Sequence, residues 1–494
     1  MAPSRLWAVA VIATLMLSAC DSSTGVIAPR MQFTVQPAET QGSEVITPAV
    51  QVTIRSATGQ VVRDLRGDVV LALGTNSSGG RLSGATRAEI VDGTATFSNL
   101  SIDLPGTYTL VATADRLASV TSSSFTIRLT FSTLSVGARH TCGTTIGRAT
   151  YCWGANENGQ IGNGDTTKAA ALVPVPVSDE SRTLHLAQVD ASSSYACGLT
   201  AAGAAFCWGL NEYGSLGVGT SEGPRECSPG FSCSVVPLPV VGGLTFTMIT
   251  TASLNCGLGP AGEAYCWGLN NVGQLVGAGV PHGTNSPTPV LMAGAPAFLT
   301  LAVGNGHGCG LDGDHNAWCW GNNASGSVGD STFQYRSTPV RVAGGLTFNT
   351  LHAGELHTCG LTSAGAAYCW GSNGRGKVGN NTVVDQFAPV PVMGGLTFTT
   401  LSGGWEHTCG VTPSGAAYCW GENAYAQLGD GTTTHRHTPV PAAQGFVFTT
   451  IAAGRWHTCG LTPSGAVYCW GSNDNGELGN GTTAASPVPV RIIQ

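Results

Sequence analysis

Short runs in which apolar and polar residues alternate recur along residues 31–494, separated by clusters of Gly, Pro, Asn, Asp and Ser. Alternation at period two marks strands with one buried face, and the clusters mark turns. Over residues 131–494 no apolar stripe returns at the helical spacing. The pattern predicts an all-β chain.

Residues 31–129 predict seven short strands, at 32–35, 50–54, 69–73, 88–91, 94–97, 108–113 and 124–127. Asp92-Gly93 carries the chemistry of a hairpin turn, and the segment from Asp103 to Tyr108 resembles a tyrosine corner. The expectation is an immunoglobulin-like β-sandwich. It is similar to the modules of bacterial surface proteins, a resemblance that implies a spacer.

Past residue 130 the alternation is organised by a repeat. Cys142/Cys152, Cys197/Cys207, Cys256/Cys266, Cys309/Cys319, Cys359/Cys369, Cys409/Cys419 and Cys459/Cys469 are each separated by nine residues, and the last four copies recur every 50. Seven copies at that period predict a seven-bladed β-propeller with one repeat per blade. In the last copy the four strands are expected at 448–452, 457–462, 466–471 and 487–490. If the cysteines face each other, Thr462 pairs with Ala466 across a three-residue loop ending at Gly465. The same register puts Gly203, Gly262, Gly365 and Gly415 at the left-handed position, with Arg148 and His315 there in repeats one and four. The fourth segment carries proline at alternate positions, as in Val173-Pro174-Val175-Pro176-Val177, which places it on the outer rim.

Opposed residues on antiparallel strands lie within disulfide range, about 4.5–5.5 Å at Cα, so each pair is read as a cross-strand bridge, with Cys227/Cys233 as an eighth. The alternative is a reduced protein using cysteines as small core residues or zinc ligands. Zinc needs four ligands at one point, whereas these pairs are spread around a ring.

A strand ending in Gly, two variable residues, His-Thr, the hairpin, then Tyr-x-Trp-Gly-x-Asn-x-x-Gly-x-Leu-Gly resembles the regulator of chromosome condensation repeat. Trp153, Trp208, Trp267, Trp320, Trp370, Trp420 and Trp470 head seven Trp-Gly pairs in register over about residues 131–494. The resemblance implies a propeller that binds proteins, and two members of the family use aromatic residues on one face to do so. The cysteine pairs depart from the cytosolic pattern and suit an oxidising compartment.

Composition agrees. Charged residues are 10% of the chain against a usual ~25%, the formal charge is -7, and only Lys168 and Lys377 are lysines. Without a basic cluster, a nucleic-acid partner is not expected. Arg5 followed by an apolar stretch at 6–17 reads as a signal peptide, and Leu17-Ser18-Ala19-Cys20 resembles a bacterial lipobox. The domain reading is then a signal peptide at 1–19, a linker at 20–30 beginning with lipidated Cys20, the sandwich at 31–129 and the propeller at 131–494. The expected location is extracytoplasmic and membrane-anchored.

Catalytic motifs are scarce. Gly219-Thr220-Ser221-Glu222-Gly223 fits the esterase pattern, but Pro224 follows and the strand-to-helix elbow is missing. His435-Arg436-His437 reads as a solvated loop. His140, His307, His357, His407 and His457 precede the first cysteine of a blade, but Tyr195 and Leu254 break the ring, and the expected role is bonding local backbone. Asn-Gly loops such as 473–476 lack the closing Glu of a calcium loop. No enzyme activity, cofactor or metal is expected.

The informative positions are the two variable residues between Gly and His in each repeat, since a repeat protein diversifies its binding loops. Among them, Arg139, Ser194, Asn305, Glu355, Trp405, Glu406, Arg455 and Trp456 are the candidate partner-binding face. Trp and Arg dominate binding hot spots. The reading is a binding or adhesion protein holding a protein or glycan. The alternative is an inhibitor of an exported enzyme, and guanine-nucleotide exchange would need a cytosolic GTPase.

Overall fold

The computed structural model describes residues 28–76, 79–167, 169–178, 184–275 and 280–493. The signal peptide, Cys20 and most of the linker lie outside the described residues.

The N-terminal part is built from two main sheets and a two-stranded ribbon that pairs Leu82–Ser83 with Ser101–Ile102. One joins Arg30–Val35, Val50–Arg55 and Thr94–Phe97; the larger runs Thr40–Gln41, Phe125–Arg128, Gly106–Ala114, Asp68–Asn76, Arg87–Glu89, with Leu117–Thr121 beside Gly106–Ala114. Alternation aims Phe33, Val52 and Phe97 of the first sheet at Leu71, Leu110 and Ile127 of the second, and these close one apolar core. All seven predicted strands are present. Tyr108 donates its hydroxyl to Leu104 O at 2.8 Å. The turn expected at Asp92-Gly93 forms, with Asp92 at φ 47° and Gly93 at φ 81°. Val91 and Thr94 exchange backbone bonds across Asp92-Gly93, yet Glu89 pairs with Asp68 and Phe97 with Val50, so the turn carries the chain from one sheet to the other and forms no extended hairpin.

From Phe131 onward the chain folds into seven consecutive sheets, six of them with strands ordered as in the sequence. The first contains Phe131–Val136, His140–Thr145, Thr150–Gly154 and Ala171–Pro176; the last contains Thr450–Ala453, His457–Leu461, Val467–Gly471 and Ser486–Arg491. Ser486–Arg491 stays with its own blade, pairing Tyr468 with Arg491. The ring closes without strand exchange, partly through Phe131 N donating to Gly465 O at 3.0 Å.

Each hairpin has the register the cysteines demand. Cys459 faces Cys469, Thr462 N donates to Ala466 O at 2.9 Å, and Gly465 holds φ 76°. Arg148 and His315 occupy the same conformation at φ 67° and 63°, a strain of about 1 kcal/mol each for residues with a Cβ.

The blade cysteines are bridged in the pairs read from the sequence. Cys142 joins Cys152, Cys197 joins Cys207, Cys256 joins Cys266 and Cys309 joins Cys319. Round the rest of the ring Cys359 joins Cys369, Cys409 joins Cys419 and Cys459 joins Cys469. All fourteen are fully buried, so every bridge lies inside its blade. What the structure corrects is their spacing. The Cα atoms stand 4.0–4.1 Å apart in all seven, closer than the sequence-based figure. Such pairs occupy non-hydrogen-bonded sites of the ladder, where strands approach most closely.

The proline-bearing strands lie outermost, except in blade 2. There Arg225–Ser228 folds back on Phe231–Pro239 and makes that blade five-stranded, with Cys227 bridged to Cys233. The uniform four-stranded reading is corrected at this blade. The inserted segment is long enough to form its own hairpin, and it covers part of a rim that would otherwise be an edge.

Blades are stapled by tryptophan. Every repeat Trp is fully buried, and Trp470 Nε1 donates to Gln427 O of the preceding blade at 3.0 Å, as Trp420 does to Lys377 O and Trp153 to Glu477 O. Gly429 follows one of these loops at φ 66°, and a Cβ there would stand 2.6 Å from Trp470 Nε1. Only glycine permits so close a passage.

The two parts also touch. Tyr151 of blade 1 donates its hydroxyl to Asp103 O at 3.0 Å and sits 3.1 Å from Ser43 Oγ, while Gln41 clamps Thr130 through both its amide oxygen and nitrogen. With two residues between Arg128 and Phe131, these bonds brace the N-terminal sheets against the hairpin-turn end of blade 1.

Candidate partner-binding face

The end of the propeller opposite the hairpin turns gathers two loop sets. After each Trp-Gly, the backbone bonds back to the second variable residue: Ala155 N to Arg139 O, Glu422 N to Glu406 O, Ser472 N to Trp456 O. The first variable residue also bonds to the glycine that opens the next blade's loop, Glu355 N to Gly404 O and Trp405 N to Gly454 O. From blade 4 to blade 7 the loops are thus bonded in series, and their side chains vary on a fixed frame.

Its most developed part lies on blades 6 and 7. The Arg455 guanidinium carbon stands 3.9 Å from the Trp405 ring centroid and 4.0 Å from that of Trp456, and Tyr425 packs on Trp456 at 5.2 Å. Both tryptophans are half-buried. A cation held between two aromatic faces gains about 0.5–2 kcal/mol per contact, more as water is excluded. Burial lowers the Arg455 pKa from its ordinary value, while the Glu355 carboxylate pulls it back.

Glu406 turns away from this stack. Its Oε2 lies 2.8 Å from the ammonium of fully buried Lys377, which also donates to Trp405 O at 3.2 Å. The pair ties blade 5 to the loop that presents Trp405. Glu355 is half-buried, accepts from Asn305 Nδ2 at 3.3 Å, and has its pKa raised, chiefly by burial. Arg139 pairs with Glu157 on blade 1, Ser194 is half-buried and Asn305 exposed. The fold brings Glu355, Trp405, Glu406, Arg455 and Trp456 onto adjacent blades; Arg139 and Ser194 belong to the blades that follow blade 7 round the ring.

Beneath the face runs a second ring. His307 Nε2 lies 3.0 Å from Thr358 Oγ1, His357 2.9 Å from Thr408, His407 2.9 Å from Thr458 and His457 2.9 Å from Thr141. Each threonine hydroxyl donates onward to a carbonyl, Thr458 to Gln427 O at 2.8 Å. The histidines bond across blades rather than to local backbone, correcting that expectation. The sequence shows why the chain of bonds breaks: Ala196 stands where His140 would need a threonine, and Tyr195 replaces histidine in blade 2 and reaches Asn255 at 2.6 Å.

Residues 184–494 match the RCC1-like domain, and residues 149–199 match the Regulator of chromosome condensation (RCC1) repeat. The chain belongs to the RCC1 repeat family. Among human proteins it is similar to the probable E3 ubiquitin-protein ligase HERC6, 28% identical over 200 residues, 40% of this chain and 19% of that ligase. The chain thus spans about a fifth of that relative. Among solved structures it is similar to human WBSCR16, at 19% identity with a TM-score of 0.58 over 79% of this chain and 97% of the other. It is also similar to Prp20p of Saccharomyces cerevisiae, at 19% identity with a TM-score of 0.59 over 74% and 88%. At those identities the likeness is one of fold.

Two residues of the face escaped the family pattern. Lys377 sits where other blades carry Ser, Gln or Glu, and Tyr425 lies in the loop after Trp420. A lysine replacing a residue whose neighbours are the buried Gly-x-Leu-Gly segment was the available sign of the first; the stacking of Tyr425 depends on tertiary contact.

Proposed function

We propose that this protein is an exported, lipid-anchored binding protein whose RCC1-like propeller holds a protein or glycan partner on the face formed by blades 5 to 7. The observation that carries this reading is Arg455 held between half-buried Trp405 and Trp456. Rigid aromatic area with a preset cation loses little entropy on binding. Prp20p, a propeller of the same fold, binds Gsp1p and histones. That likeness supports a protein partner here and a role in binding rather than catalysis.

In this reading Cys20 is the mature, acylated N-terminus and residues 31–129 form an immunoglobulin-like spacer. The contacts of Tyr151 with Asp103 and Ser43 hold that spacer at the hairpin end, opposite the proposed face. Eight disulfides suit export.

Two experiments test it. Palmitate labelling in the native host should mark the protein and vanish in Cys20→Ser; labelling that persists removes the anchor. Immobilised wild-type protein should capture a species from envelope or neighbouring-cell extracts that the Trp405→Ala/Trp456→Ala variant, melting within a few degrees of wild type, fails to capture. Equal capture by both removes the face.

A further inference from the structure

The propeller encloses a central channel of about 560 Å³ that opens onto the loop face. Its wall comes from the first strand of each blade, and its chemistry is lopsided. Asp190 and His352 line it and Glu355 stands at the mouth, whereas among the described residues no lysine or arginine lines it. Much of the remaining wall is hydroxyl, with Thr300, Thr350, Thr400 and Thr450 in register on four successive blades.

Asp190 is held in place. Its Oδ1 accepts from Ser135 Oγ at 2.7 Å and its Oδ2 from Thr251 N at 2.7 Å, with the hydroxyls of Thr250 and Thr251 also beside the carboxylate. Its pKa is pushed up to about 6 by burial, so it is ionised at neutral pH at a cost in stability. Burial lowers His352 to about 4, so the imidazole is neutral and repels no cation. A fixed carboxylate and a threonine-lined wall in a cavity without a basic wall residue match an ammonium group, which carries three donors and a positive charge. Among the described residues no group of three His, Cys, Asp or Glu is placed to hold a metal.

We infer that the central channel is a binding site for a small organic ammonium compound, its nitrogen paired with Asp190 and its body among the threonine hydroxyls. This is independent of the partner-face reading, because the ligand enters the channel and is assayed without any macromolecule.

The probe is 1,4-diaminobutane, with 1,4-butanediol as its uncharged counterpart, titrated into the full oxidised protein by calorimetry. Saturable diamine binding is expected at pH 7.5, with affinity roughly fourfold weaker at pH 5.5 as a carboxylate of pKa about 6 is protonated. Asp190→Asn should weaken it at least tenfold, and Thr450→Leu, which narrows the channel without touching Asp190, should weaken it too. The diol should not bind. Diamine binding that is absent, matched by the diol, or unchanged in Asp190→Asn overturns the inference. Should Asp190→Asn fail to fold, the pH comparison and Thr450→Leu decide alone.

Discussion

His407 Nε2 and Thr458 Oγ1 lie 2.9 Å apart across the boundary between blades 6 and 7, both buried, and Thr458 donates its own proton to Gln427 O. Because the hydroxyl donates to the carbonyl, it accepts from the imidazole, which fixes the proton on Nε2 and leaves Nδ1 free of a partner among the described residues. One such link recurs at four blade boundaries.

Removing the hydroxyl should therefore loosen a boundary rather than a blade. Thr458→Val keeps the shape but strands the His407 N–H, and a cost of about 1–3 kcal/mol is expected. Ala196 shows that a boundary survives without it. Chemical denaturation of the variant checks the magnitude; a loss under about 0.5 kcal/mol, the low end for a single hydrogen bond, would show the link is dispensable.

Acid should unfold this protein early. Burial lowers His140, His407 and His457 to about 3 and His307 to about 4, with Arg139 adding to the shift at His140, and holds His357 well below 6.5. Below pH 6.5 the unfolded chain binds protons these imidazoles refuse, so the unfolded state gains about 1.4 kcal/mol per histidine per pH unit until the folded pKa is reached. Asp190 runs the other way, since its raised pKa favours the fold as pH drops through about 6. The net expectation is a melting temperature that falls steeply between pH 6 and 4, and less steeply in His407→Gln. A flat profile would contradict the neutral buried ring.

The blade disulfides stabilise one hairpin each. Cys459→Ala/Cys469→Ala releases a loop with sequence separation 10, for which chain entropy gives about 2–3 kcal/mol. Both residues sit in a fully buried cluster, so the loss should appear as a lowered midpoint in guanidinium with the blade still folded by circular dichroism.

Lys377 should matter to the face more than to the fold. Lys377→Met keeps much of the buried stem, frees Glu406 to water and removes the bond to Trp405 O. Stability should fall by about 1–3 kcal/mol, because Glu406 loses its partner but is a third exposed and can be hydrated, which keeps the loss below that of a carboxylate left fully buried. Tryptophan fluorescence should report a changed Trp405 environment, and the species captured by wild type should bind more weakly.

Much of this architecture is written locally. Cysteines nine residues apart admit one hairpin register, Gly465 one loop conformation, and alternate prolines only an outer strand, so the blade is legible from residues 448–491 taken alone. Two-residue variation between Gly and His likewise marked Trp405 and Arg455 as loop residues. What stayed hidden involves partners on different repeats. Asp92-Gly93 is a good turn in any context, and only the strands flanking it decide whether a hairpin or a change of sheet results. His407 cannot be seen to reach Thr458, 51 positions away, until two blades are packed side by side. The same holds for Lys377 under Trp405, Arg455 between two tryptophans, and Asp190 facing a channel that exists only when seven blades close. Sequence periodicity determined the repeated unit because its bonds are short-range. The face and the channel were decided by ring closure, which brings side chains together at distances no local pattern encodes.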